Sequence, residues 1–277
     1  MNTETQPAPE PAPEPALARI SGLASGRRHF RYFDYMIAAF VAILLLSNLI
    51  GAAKQAQVAV PMVGTITFGA GVLFFPISYI LGDVLTEVYG YANARRCIWA
   101  GFFALLFMVF MALVVVNIPP SPEWALASNT YEIMGQKVTA PNQAAYQSVF
   151  GQTPRIVFAS VIAFWAGEFV NSFVLAQMKI LTAGKHLWSR TIGSTIFGEG
   201  VDSALFYPLA FLGAAGWSTQ TVITLAFTQW IIKTGWEVVL TPVTYVVVGF
   251  LKRREGVEVF DTDTNFSPFA KAGAPAQ

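Results

Sequence analysis

The chain has 277 residues, 55% of them hydrophobic and only 12% charged, with a mean hydropathy of +0.53. Soluble domains carry about 25% charged residues. This composition, with a single cysteine at Cys97, therefore excludes a soluble enzyme, a nucleic-acid-binding protein and a disulfide-stapled secreted module.

Within residues 1–31, residues 2–16 read NTETQPAPEPAPEPA, a Pro/Ala/Glu tract that favours extended polyproline II and has nothing to bury. The stretch is expected to be a disordered arm that turns basic at Arg19, Arg27, Arg28 and Arg31. It has no apolar h-region, so no cleavable signal peptide is expected. Residues 32–252 form the predicted membrane domain. Crossing a ~30 Å hydrocarbon core takes about 20 mostly apolar residues. The uncharged stretch between Asp34 and Lys54 supplies the first span, and residues 55–67 (QAQVAVPMVGTIT) read as a short outer β-ribbon. Further spans follow at about 68–89, at Cys97–Pro122, and at about 155–178, 191–213 and 220–251. The connection 118–154, with Trp124, Tyr131 and Tyr146, is a candidate lid or a segment lying on the headgroups. Residues 253–277 are polar and small and are expected to be a disordered tail.

Basic residues set the orientation. Thirteen of the 17 lie in the N-terminal arm, at Arg95 and Arg96, at Lys179, Lys185 and Arg190, at Lys252–Arg254, and at Lys271. The alternate loops hold only Lys54, Lys137 and Arg155. An all-α bundle of six transmembrane helices with both termini cytoplasmic follows.

Seven ionisable residues fall inside these spans: Asp83, Glu87, Glu168, Glu199, Asp202, Lys233 and Glu237. Each costs roughly 2.5–3.5 kcal/mol at mid-helix on insertion scales, so the charged faces must look inward. Asp83 and Glu87, Glu199 and Asp202, and Lys233 and Glu237 are each three or four apart and share a helix face. The set from Glu168 to Glu237 lies near the midplane, where either some acids are protonated or a cation fits among them. Pro76, Pro208 and Pro242 are expected to interrupt charged spans, as in the broken helices that border transporter sites. Gly82, Gly198 and Gly200 would allow close approach of helices or ligand. Trp165, Phe197 and Trp236 adjoin the acids in sequence. Plainer structural readings pair Lys233 with Glu237 on one helix, pair Asp83 and Glu87 with Arg95 and Arg96, and make Asn48 and Asn171 interhelical glue.

Two segments, FPISYILGDVLTEVYGYANARRCIW (75–99) and FGEGVDSALFYPLAF (197–211), resemble the signatures of the queuosine precursor transporters. That family belongs to the vitamin uptake transporter group, whose fold is similar to the substrate-binding component of energy-coupling-factor importers. The resemblance runs over about 33–252, and Gln229-Trp-Ile-Ile-Lys233 and Pro242 fit the family's last helix. It implies six helices in the cell inner membrane and import of 7-deazaguanine bases such as preQ0 and preQ1 for tRNA modification. A guanine-like edge offers adjacent N–H donors that a carboxylate can accept, and its flat ring stacks on aromatics. On that chemistry Glu199 or Glu237 would take the base edge. Asp202, Gln229, Lys233 and Glu168 would stand alongside, with Trp165, Phe197 and Trp236 as stacking surfaces. Asp83, Glu87, Pro76, Pro208, Arg95 and Arg96 would serve structure or gating. No cofactor or metal is called for, and no nucleic-acid partner. A homodimer is compatible with the sequence, as is an ATP-driven coupling partner docked at Ala38-x-x-x-Ala42; the chain has no P-loop of its own. The competing readings are a carrier for another vitamin or nucleobase and an intramembrane enzyme. The second lacks a His-x-x-x-His pattern and a Cys–His pair.

Overall fold

The computed structural model describes residues 30–51, 55–60, 64–151, 154–214 and 217–270. Tyr32–Gln277 form one compact unit and Met1–Arg31 another. Nearly all of the N-terminal arm lies outside the described residues.

The first helix, α1 (Phe33–Leu46), loosens into a π-helical turn at Ser47–Gly51. There the Ser47 hydroxyl and the Asn48 amide both donate to the Leu44 carbonyl, at 2.8 and 2.9 Å, which competes with the regular ladder. The expected ribbon forms as an antiparallel hairpin of β1 (Gln55–Val60) and β2 (Gly64–Gly69), with Gln55 opposite Gly69. A 3-10 turn at Ala70–Leu73 leads into α2 (Phe75–Tyr89).

Helix α2 is shorter than the span expected from 68. At 15 residues it reaches only about 22 Å, less than the hydrocarbon core. Pro76 lies in its first turn, where a missing N–H is tolerated, so this proline starts the helix and interrupts nothing. Gly90, at φ +82°, makes the corner into α3 (Tyr91–Asn117).

The loop 118–154 acquires structure that its sequence did not signal. It holds α4 (Pro122–Leu126), an exposed hairpin of β3 (Ser128–Ile133) and β4 (Gln136–Pro141), and α5 (Asn142–Phe150). Met134 and Gly135 close the hairpin with positive φ at both central turn residues, the geometry that follows strand twist.

Three long helices complete the bundle: α6 (Pro154–Leu181), α7 (Leu187–Phe211) and α8 (Thr219–Glu255). Four helical stretches among the described residues are long and apolar enough to cross a membrane: Phe33–Ile50, α3, Asn142–Leu181 and α8. Helix α7 has the length but is diluted by acids, glycines and hydroxyls. It is held by its neighbours, packing on α6 and α8. Pro208 and Pro242 both lie inside continuous helix, so neither breaks its span as expected. A proline whose freed carbonyl finds other partners is accommodated in a packed helix.

The bundle is polar inside and apolar outside. Phe103, Phe107, Phe227, Val239 and Val246 are exposed, whereas Asp83, Glu87, Glu199 and Glu237 are buried. Helices α6 and α7 meet most closely at two glycines. A Cβ on Gly198 would fall 2.6 Å from Cβ of Asn171, and one on Gly167 would fall 2.9 Å from Cβ of Asp202.

One end is fixed by charge. Glu87 accepts from Nε and Nη2 of Arg190, both at 2.8 Å, and from Lys252 at 2.6 Å, with the Lys179 ammonium at 3.3 Å. Asp83 and Glu87 therefore do not pair with Arg95 and Arg96. The basic residues that do meet Glu87 come from α6, α7 and α8, three elements far apart in sequence. Arg96 lies over the Phe33 ring instead.

The segment after Gly256 is ordered against the bundle through Ala270, contrary to the expected tail from 253. Its polar residues are used. Asp261 takes the N–H of Tyr91 on both oxygens at 3.1 Å, serving as the missing cap of α3. Arg95 donates to the carbonyls of Asn265 (2.7 Å) and Ser267 (3.0 Å). Tyr91 and Trp99 donate to the carbonyls of Phe266 and Pro268 at 2.8 and 2.9 Å.

Candidate functional site

Four helices bring their charged faces to one place. From α7 come Glu199 and Asp202, one turn apart. Lys233 of α8 spans them, its ammonium 2.9 Å from Oε2 of Glu199 and 2.7 Å from Oδ2 of Asp202. Tyr79 of α2 completes this group. Its hydroxyl is hydrogen-bonded to Glu199, and its ring centre lies 5.9 Å from the Lys233 ammonium. Tyr207 of α7 lies within electrostatic reach of Lys233, Asp202 and Glu199. Glu168 of α6 stands beside the same three residues, with its Oε2 against the backbone at Gly82. Gly82 permits this approach because a Cβ there would be 3.1 Å from that oxygen.

One helical turn away is a second group. Asp83 of α2 accepts a hydrogen bond on Oδ1 from Nδ2 of Asn171 at 2.8 Å, and lies within electrostatic reach of Glu237 and Glu168. Both oxygens of Glu237, Oδ2 of Asp83 and Oε2 of Glu168 have no hydrogen-bond partner among the described residues. Glu237 is 2% exposed and Asp83 0%. Buried acceptors without donors are uncommon in folded proteins and mark places where a ligand, a proton or water completes the site.

The predicted residues divide accordingly. Glu168, Glu199, Asp202, Lys233 and Glu237 converge, and Asp83 joins them. Lys233 does not pair with Glu237 on its own helix. It reaches across to α7, where two carboxylates offer more than one. Gln229 is half-buried, one turn from Lys233 on the same helix. The aromatic expectations fare differently. Phe197 is 60% exposed and Trp236 is exposed as well, because on a helix Phe197 points about 200° from Glu199 and Trp236 about 100° from Glu237. Trp165 packs with Trp99, Phe169 and Phe269, outside the acid cluster. The aromatics that do border the acids are Tyr79 and Tyr207, which sequence reasoning missed. Tyr79 is four residues before Asp83, and that spacing was the available signal. Asn48 and Asn171 act as the expected glue: Asn48 accepts from Ser160 of α6, and Asn171 joins α6 to α2.

A separate cavity lies among α1, α3, α5 and α6, lined by residues including Asn48, Leu105, Met108 and Phe150; it contains none of these ionisable groups. The acid cluster is buried except at Asp202, whose side chain is 19% exposed.

A multi-helix chain with an apolar exterior and a closed polar centre built from four helices has the construction of a membrane transporter. The chain belongs to the family described as "Putative vitamin uptake transporter", whose model matches residues 69–247 and so takes in every residue of the cluster. It is a transporter family, not an enzyme family. The chain is also similar to the "Probable queuosine precursor transporter" of Bacillus subtilis (strain 168), with 30% identity over 149 residues, 53% of this chain and 58% of the relative. The alignment thus spans under two thirds of that relative's length. No solved structure matches.

Proposed function

We propose that the protein imports a 7-deazaguanine base, a queuosine precursor such as preQ0 or preQ1, across the cell inner membrane, through six helical segments with both termini in the cytoplasm. The observation that carries this reading is the Glu199–Lys233–Asp202 group beside Tyr79, buried at the meeting of α2, α7 and α8. The similarity to a relative named for queuosine precursors supports the choice of cargo.

The chemistry is one of exchange. In the closed form Lys233 satisfies two carboxylates. A guanine-like edge presents paired N–H donors that can replace the ammonium on Glu199, and an aminomethyl group, where present, can replace it on Asp202. Tyr79 offers a ring face to the heterocycle. Each charge-assisted hydrogen bond is worth about 1.5–3 kcal/mol, so two on one carboxylate supply about 3–6 kcal/mol; micromolar recognition, about 8 kcal/mol, needs ring stacking besides and a new acceptor for the displaced lysine. Among the described residues both oxygens of Glu237 and Oε2 of Glu168 lack donors, and both acids lie within electrostatic reach of Glu199.

The test is uptake of labelled precursor by cells unable to make it. Glu199→Gln, expressed at normal level, is expected to lower uptake at least 100-fold. Uptake at the unmodified rate would remove Glu199 from the site. A thermal-shift screen against purines, deazapurines and vitamins separates this reading from a carrier of other cargo, since only the true ligand raises the melting temperature.

A further inference from the structure

Five carboxylates gather around one ammonium group. Lys233 is engaged with Glu199 and Asp202. Among the described residues no cation lies within ion-pair distance of Asp83, Glu168 or Glu237. The polar groups that face Asp83 and Glu237 are Glu87 from α2, Glu168 and Asn171 from α6, and Glu199 from α7, with the Lys233 group beyond Glu199. After Asp34, helix α1 offers only the phenol of Tyr35, which is exposed. Arg95 and Arg96 of α3 are turned to the C-terminal segment and to Phe33. An ionised carboxylate buried without a partner costs several kcal/mol, and like charges nearby add to it.

The oxygens left over are placed so that protons can occupy them. Asn171 holds Oδ1 of Asp83, which leaves Oδ2 as the oxygen to bear a proton, and both oxygens of Glu237 are open. Tyr79, Asp83 and Glu87 follow one another at four-residue steps along one face of α2, each about 6 Å further on. Thr86, between Asp83 and Glu87 in the chain, turns its hydroxyl to the Gly82 carbonyl and to Ser172, both at 3.1 Å. Glu87, one turn beyond Asp83, is bound by the partly exposed Lys252, so the acid cluster stands one helical turn from the basic end of the bundle.

We infer that Asp83 and Glu237 form a proton-binding site distinct from the Lys233 group, and that binding and release of a proton there is coupled to movement of the cargo. The step is an acid–base one. A proton arriving from the outer side forms an O–H bond on a carboxylate oxygen, and the same bond breaks when the proton passes to water on the inner side. No electrons change hands. The coupling rests on the carrier reading above; the proton site does not.

Two measurements keep them apart. In proteoliposomes, exchange of labelled preQ0 at equal pH on both sides reports the carrier alone, and accumulation under an imposed pH gradient reports coupling. One proton per substrate predicts about tenfold accumulation for each unit of pH, inside alkaline. It also predicts acidification of the lumen on adding preQ0. In Asp83→Asn, whatever transport remains should be independent of the gradient. Exchange without gradient-driven accumulation, or accumulation driven by sodium instead, would overturn the coupling. Absent exchange would overturn the carrier reading, and the site is then decided by infrared spectroscopy of purified protein. A carbonyl stretch of protonated, buried carboxyl groups is expected at neutral pH, diminished in Glu237→Gln and in Asp83→Asn. A spectrum without that band, or variants that leave it unchanged, would overturn the site itself.

Discussion

Glu87 is the residue on which the basic end of the bundle depends, and Glu87→Gln measures that dependence. Glutamine keeps the shape and removes the charge. Lys252 would retain Glu258 at 2.6 Å, and Lys179 would retain Glu258 at 3.2 Å together with the Glu87 carbonyl at 2.7 Å. Arg190 would keep the Lys185 carbonyl, at 2.6 Å, and the one amide oxygen of the glutamine, but its guanidinium would be buried without an anion. Removing one partner of a buried pair costs about 3–5 kcal/mol. For a domain of this size that lowers the melting temperature by about 6–20 °C at roughly 2–4 °C per kcal/mol. The assay is thermal unfolding in detergent followed by tryptophan fluorescence. Glu258→Gln is the control, since that carboxylate is 43% exposed and its loss should cost about 0–1 kcal/mol. Adding Arg190→Met to Glu87→Gln should recover much of the loss, because the orphaned charge goes too. If Glu87→Gln costs no more than Glu258→Gln, or if the double variant is no better than the single one, the reasoning fails.

Gly198→Ala drives a methyl to 2.6 Å from Cβ of Asn171 and should destabilise by about 1–3 kcal/mol, whereas Gly235→Ala, with open space around it on α8, should be neutral or gain up to about 1 kcal/mol; equal melting temperatures would refute the close contact of α6 and α7. Asp261→Ala uncaps α3 and should release the C-terminal segment, read as faster protease cleavage within 257–270; unchanged protection would show that the other contacts suffice. Lys233→Met leaves Glu199 and Asp202 facing each other without a cation and should lower the melting temperature more than Lys137→Met on the exposed hairpin does, as measured by the same fluorescence scan.

The sequence carried the class of this protein and most of its charged centre, for a physical reason. Acids in apolar helices are so costly that they can only face inward, and residues three or four apart must share a face. Glu199, Asp202, Lys233 and Glu237 were therefore legible. Partner choice was not, because i,i+4 spacing makes Lys233 and Glu237 look paired while the third dimension offers Lys233 two acids on α7. Adjacency misled for Phe197 and Trp236, since helical neighbours diverge. The C-terminal segment misled by composition: Asp261, Asn265 and Ser267 read as solvent-loving, yet the first two supply a side-chain cap and a backbone carbonyl that α3 uses. The hairpin at 128–141 gave its signal only in the Met134–Gly135 turn, too little among polar residues to be read.

Helix α8 is a single rod of 37 residues that carries Lys233 near its middle and Lys252 near one end. Nineteen residues separate the two, about 28 Å along the axis. Where Lys252 is tethered to Glu87, the rod has a pivot. A swing of roughly 10° about that pivot displaces Lys233 sideways by about 5 Å, enough to part it from both acids at once while the tether stays closed. Were α8 to tilt as one body through Pro242, a small rotation at the anchored end would become an opened grip at the other.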